Sequence, residues 1–349
     1  MKKISTAHWL LLIIAAVHLL VSIGLSALVV FGPANLYIPM WLQLLLSPLS
    51  MLVPLAVYCI ITRSNPLKLI RFKKTKLCNI IMGILVMIFC YPVILVLNLI
   101  SMLFVDNAMA QILPSTMAMG LPLAVLLIAV VPAIMEETVF RGCLYNTYSK
   151  RRPLAGAFLS GLLFGLMHMN FNQMPYAFFL GVILALMLEA TDSIIIPMIM
   201  HFSLNAFTTV LSYSSASVLE SQAPVGQSFT EILTEAYRQA LSSQSMTQGM
   251  SAAEIDQLAA DMVPMAMGIM IAILAVIVVI ALAAVIALIY ATFVFNKRSP
   301  KAILLAKPTE NDFVPGFRGK LRKNRLIDVP VIIFMVYALA QCVLSAVVG

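Results

Sequence analysis

The chain has 349 residues, of which 62% are hydrophobic and 10% charged, and its mean hydropathy is +1.02. A soluble domain carries roughly 25% charged residues, so 22 basic and 14 acidic side chains are too few to clothe a water-exposed surface. This excludes the soluble, disordered, collagen-like and disulfide-rich secreted classes and leaves an all-α, polytopic transmembrane helical bundle. The net charge of +8 belongs to basic loops and not to nucleic acid, because no basic patch is interleaved with aromatics.

A bilayer span needs about 20 apolar residues. Nine stretches qualify, so that eight to nine spans are expected: 8–31, 37–62, 78–105, 119–147, 154–171, 174–190, 194–214, 262–295 and 328–348. The first follows Lys2 and Lys3, but its apolar run is too long for a signal-peptide h-region of about 7–15 residues. It reads as an uncleaved helix that leaves the N-terminus cytoplasmic. The loop from Arg63 to Lys76, the segment from Arg141 to Arg152 and the run from Lys297 to Arg325 then all fall inside. Only Arg238 lies outside, so 21 of 22 Lys and Arg obey the positive-inside rule. The protein is accordingly expected in the cell membrane. The organisation reads as N-terminal spans over 1–118, a polar-residue-bearing core of four spans over 119–214, an extracytoplasmic helical cap over 215–261 and C-terminal spans over 262–349. The cap is acidic and carries two capping-box patterns, Ser228 with Glu231 and Ser251 with Glu254. The five cysteines are scattered with no CxxC pair and read as small core residues.

Ionisable side chains at bilayer depth cost about 2.5–3.5 kcal/mol each on insertion scales, and they concentrate in the fourth to seventh spans. The fourth span ends Met135-Glu136-Glu137-Thr138-Val139-Phe140-Arg141. Glu137 and Arg141 are i,i+4 partners, so one carboxylate is neutralised locally and Glu136 is left for chemistry. In the fifth span Ala157, Gly161 and Gly165 form a small-residue stripe that lets a neighbouring helix approach. His168 follows at a nominal depth equal to that of Glu136. The seventh span places His201 and Asn205 one turn apart on one face. His8 and His18, in the first span, are read as structural or interfacial, without a carboxylate partner. A carboxylate with imidazoles can activate water, directly or around a metal, and an amide can donate to an oxyanion. Neither HExxH nor GxSxG is present.

The series Glu136-Glu137-x-x-x-Arg141, Phe164-x-x-x-His168 and His201-x-x-x-Asn205 resembles the three-motif signature of the CAAX protease and bacteriocin-processing (CPBP, or Abi) family of intramembrane proteases, over about residues 119–214. The resemblance implies an intramembrane endopeptidase acting on a membrane-associated peptide, either prenylated CAAX-type or bacteriocin-type. By motif, Glu136 and His168 would activate the attacking water, and His201 and Asn205 would stabilise the oxyanion. Glu137, Arg141 and Phe164 would support them. Glu136, His168 and His201 could alternatively hold a zinc ion, and the motifs leave this open. Two other readings stand beside the protease: a proton-coupled transporter using the same buried groups, and a non-catalytic immunity or scaffold protein. Because the motifs lie nearer the basic side, access from the cytoplasmic leaflet is expected.

Overall fold

The computed structural model describes residues 4–33, 37–150, 152–222, 229–242, 249–306, 313–315, 321–323 and 326–348. Lys2, Lys3, Arg151, Lys307, Arg318, Lys320, Arg325 and the capping pattern at Ser228 lie outside them. Nine apolar helices occur among the described residues: α1 (Ile4–Phe31), α2 (Met40–Ile61), α3 (Leu77–Ser101), α4 (Leu121–Tyr148), α5 (Pro153–Met167), α6 (Met174–Thr191), α7 (Ile195–Ser215), α8 (Ala252–Phe295) and α9 (Val329–Val347). Eight of them are long and apolar enough to cross a membrane. The exception is α5, whose 15 residues rise about 22 Å against a hydrocarbon core of about 30 Å. The fifth span expected over 154–171 is therefore a short helix, and His168 is its C-terminal cap. The one strand pair among the described residues is a short antiparallel hairpin, β1 (Phe313–Pro315) with β2 (Leu321–Lys323), which leaves the chain all-α in architecture.

Large apolar side chains point outward from many helices; Val30, Phe31, Ile60, Val279 and Val329 are each more than half exposed. In water such a surface would drive association. Against acyl chains it is the required surface, because every helical backbone group is already satisfied internally.

The chain divides into two compact units, 1–213 with 282–349, and 214–281. In the second unit, the predicted capping box forms at the start of α8. Ser251 Oγ accepts from the Glu254 amide, and the Glu254 carboxylate accepts from the Ser251 amide at 2.7 Å. On the neighbouring helix Phe229–Ser242, hydrogen bonds from Arg238 and Gln239 hold the Glu235 carboxyl below its ordinary range.

The larger unit is pinned at both ends. At the end bearing the basic loops, Arg71 bonds the Glu189 carboxylate at 2.8 Å, Asn146 at 2.9 Å and Ser149 at 2.7 Å. Arg298 reaches the same Glu189 at 3.2 Å, Lys73 pairs with Asp192, and Asn79 accepts from Asn296 at 2.8 Å. The starts of α3, α7 and α9 and the ends of α2, α4, α6 and α8 thus share one end with the basic loops. At the opposite end, Tyr213 donates to the Thr116 carbonyl at 2.5 Å and Asn172 donates to Asn98 at 3.0 Å. His8 does have a carboxylate partner, contrary to expectation: its Nδ1 lies 2.7 Å from Asp328. Asp328 also accepts from the Val331 amide, capping α9, so this pair fastens the first helix to the last. The partners are 320 residues apart, which no local pattern reveals.

The small-residue stripe performs as predicted. A methyl group on Gly161 would come within 2.9 Å of the Phe178 carbonyl and the Val182 amide, and one on Gly181 would come within 2.6 Å of Gly161 Cα. Helices α5 and α6 are therefore in backbone contact, which only glycine on both sides permits.

Candidate active site

The fourth helix is not uniformly α-helical. It widens into π-turns at Val125–Val130 and Thr138–Tyr145, on either side of an α-helical Val131–Glu137. Such turns displace backbone groups and recur where a helix must present side chains out of α register. Pro132 contributes to the first, because it has no N–H to offer the Ile128 carbonyl one turn back. Asn205 Nδ2 supplies the missing donor at 3.0 Å. In the second π-turn the Phe140 carbonyl accepts from Ser160 Oγ at 3.0 Å. Neighbouring helices thus complete the backbone of α4 on both sides of its glutamates.

The two glutamates have different surroundings. Glu137 is fully buried, and its Oε1 accepts from Arg141 Nη1 at 2.8 Å and from His201 Nδ1 at 2.9 Å. Arg141 is itself fully buried and lies 4.3 Å over the Phe164 ring. A carboxylate shared by a guanidinium and an imidazole, with the cation also on an aromatic face, is the compensation a buried charge needs. Glu136 stays partly exposed and lines a cavity, with its Oε2 4.0 Å from His201 Nε2.

Both imidazoles are oriented through Nδ1. His201 Nδ1 faces a carboxylate and His168 Nδ1 lies 2.9 Å from the Phe164 carbonyl. Neither acceptor carries a hydrogen to give, so in each ring Nδ1 holds the proton and Nε2 remains for the cavity. Phe164 holds both rings edge-on, with centroid distances of 5.0 Å to His168 and 5.8 Å to His201, and meets Phe140 at 5.1 Å.

The cavity has a volume of about 570 Å³ and brings together Glu136, Phe164, His168, His201 and Asn205. Glu137 and Arg141 lie behind it. Sequence reasoning passed over Tyr176 and Gln173, which line the same cavity, and Glu189, which ties Arg71 to Arg298. A glutamate in the apolar sixth span was the available signal for the last of these. The cavity runs from the site toward the end away from the basic loops, reaching Asn98, Thr116 and Tyr213.

The side chains do not form a ready-made three-ligand metal site. Among the described residues no group of three or more His, Cys, Asp or Glu side chains is placed to hold one ion. Glu136 Oε2 and His201 Nε2 stand 4.0 Å apart, about the span of two metal–ligand bonds.

Fold and site together define a polytopic membrane protein with a carboxylate–imidazole centre held between its fourth, fifth and seventh helices. Residues 117–207 match the family described as type II CAAX prenyl endopeptidase, Rce1-like. The chain is also similar to the membrane-embedded CAAX protease MroQ of Staphylococcus aureus (strain USA300), with 28% identity over 122 residues, or 32% of this chain and 49% of the relative. It thus spans about half the length of that curated relative. No solved structure matches it. Both matches fall on the core that carries the three motifs, and that core is similar to CAAX-type membrane proteases.

Proposed function

We propose that this protein is an intramembrane endopeptidase that hydrolyses a peptide bond of a membrane-associated substrate with a water activated by Glu136 and His168. One observation carries the reading: both imidazoles are locked through Nδ1, leaving Nε2 free on the cavity that Glu136 also lines.

The chemistry follows from these positions. Glu136 takes a proton from water, and the lone pair on His168 Nε2 orients that water toward the scissile carbonyl carbon. The carbonyl oxygen becomes an oxyanion. Asn205 has a second amide hydrogen to offer it, and His201, held through Nδ1 by Glu137, lines the cavity beside it. Protonated Glu136 then returns its proton to the leaving nitrogen, so one water is consumed and a carboxyl and an amine are released. Glu137 and Arg141 do not line the cavity; they fix the His201 ring. No step in this sequence is routed through a metal.

Cleavage of a membrane peptide reporter tests this. Glu136→Ala and His168→Ala should each abolish cleavage while the protein still inserts and accumulates. Cleavage that persists in both variants would refute the reading.

A further inference from the structure

The cavity has a direction, and the basic loops give that direction a sign. Helix α7 starts at the basic end, where Ile194 and Asp192 bond Arg71 and Lys73. His201 sits about 9 Å along it, and the helix goes on lining the cavity through Leu204, Thr208, Ser212 and Tyr213 for about 18 Å more. The other walls agree. Helix α3 contributes Tyr91, Ile94 and Asn98 from its far half, and α2 contributes Leu44 and Pro48 from the half away from Arg63. Gln173 comes from the turn between α5 and α6 and Tyr176 from the first turn of α6, at the end opposite Lys150. Among the described residues, none that lines the cavity comes from the basic end.

The lining also has a distinct chemistry. Glu136 and the two imidazoles are its ionisable groups near the reacting centre, and no Lys or Arg is among the described lining residues. Arg141, the nearest guanidinium, is fully buried behind Glu137. The far wall is instead uncharged, apolar at Ile94, Leu95, Leu113 and Leu204 with hydrogen-bonding groups at Asn98, Gln173 and Thr208 set among them. A prenylated CAAX terminus brings a free carboxylate three residues past its cysteine. Burying that charge without a cation is costly. An extended backbone with uncharged side chains is matched by amides and hydroxyls.

With the basic loops in the cytoplasm by the positive-inside rule, we infer that the chamber opens to the extracytoplasmic face and takes an internal, uncharged stretch of a translocated, membrane-associated peptide. The inference rests on reading the cavity as the substrate chamber of the peptidase proposed above.

Two measurements on the full chain in cells test it. First, a membrane-impermeant maleimide is applied to intact cells and to inverted vesicles carrying Ser212→Cys or Lys74→Cys, with the unsubstituted protein as the labelling reference. Ser212→Cys should gain label on intact cells, and Lys74→Cys only in inverted vesicles. Label on Ser212→Cys in inverted vesicles alone overturns the inference and leaves the peptidase reading intact. Second, peptide termini are mapped by mass spectrometry in cells carrying wild type or Glu136→Gln. Termini that depend on Glu136 should lie inside outward-facing, uncharged segments. Glu136-dependent termini three residues from cytoplasmic C-termini overturn the inference alone. The lack of any Glu136-dependent terminus overturns the peptidase reading and this substrate class with it, while the labelling still decides the direction of the chamber.

Discussion

Replacing Arg141 by Met keeps the side-chain stem and most of its packing on Phe164 but removes the charge that faces Glu137. The carboxylate is then left fully buried, its Oε1 bonded to His201 alone and its Oε2 without a partner, as it already is in the native protein. Breaking a buried pair from one side costs about 3–5 kcal/mol, whereas replacing both members by neutral groups of similar volume is close to neutral. Arg141→Met and Glu137→Gln should each destabilise by that amount, and the double variant should recover most of it. The coupling energy should therefore be about 3 kcal/mol or more. The assay is a double-mutant cycle on reversible unfolding of the purified protein in mixed micelles. Cleavage should stay reduced by about 10–100-fold even in the double variant, because a neutral amide at position 137 no longer holds His201 through a charge. A coupling below about 0.5 kcal/mol, the range of independent sites, would refute the account of Glu137 as a shared buried anchor.

Gly161→Ala should destabilise the α5–α6 contact by about 1–3 kcal/mol, since its methyl would meet backbone atoms that cannot rotate away; Gly268→Ala, with nothing within 4 Å, should be neutral in the same unfolding assay. Asn205→Leu should cost about 1–3 kcal/mol by stranding the Ile128 carbonyl, and it should lower kcat as well, so a stability loss without any change in kcat would contradict its place at the oxyanion. Purified, chelator-treated protein should retain full activity and contain less than one equivalent of transition metal by elemental analysis; loss of activity with chelator, restored by zinc, would overturn a mechanism carried by side chains alone.

Local patterns in the sequence held wherever one helix decides the outcome. Glu137 and Arg141 pair because they share a helical face, Ser251 and Glu254 cap the helix they begin, and Gly161 faces a neighbour because no side chain blocks it. What was hidden depends on several helices at once. Helix α4 forms its π-turns where Asn205 and Ser160, distant in sequence, take up the displaced carbonyls. His168 ends a short helix because Met169 adopts a positive φ of 52° just beyond it, a choice that hydropathy does not record. The direction of the cavity is a property of several walls together, which the position of the motifs along single helices does not record. His8 and Asp328 meet across the whole length of the chain.

The central claim is that a water held by Glu136 and His168 cleaves a peptide bond. Mass-spectrometric mapping of products from a membrane peptide reporter in proteoliposomes, with purified wild type against Glu136→Gln of equal thermal stability, tests it most directly. The account predicts a defined new terminus with wild type and none with the variant. The same terminus, formed at the same rate by both proteins, would contradict it.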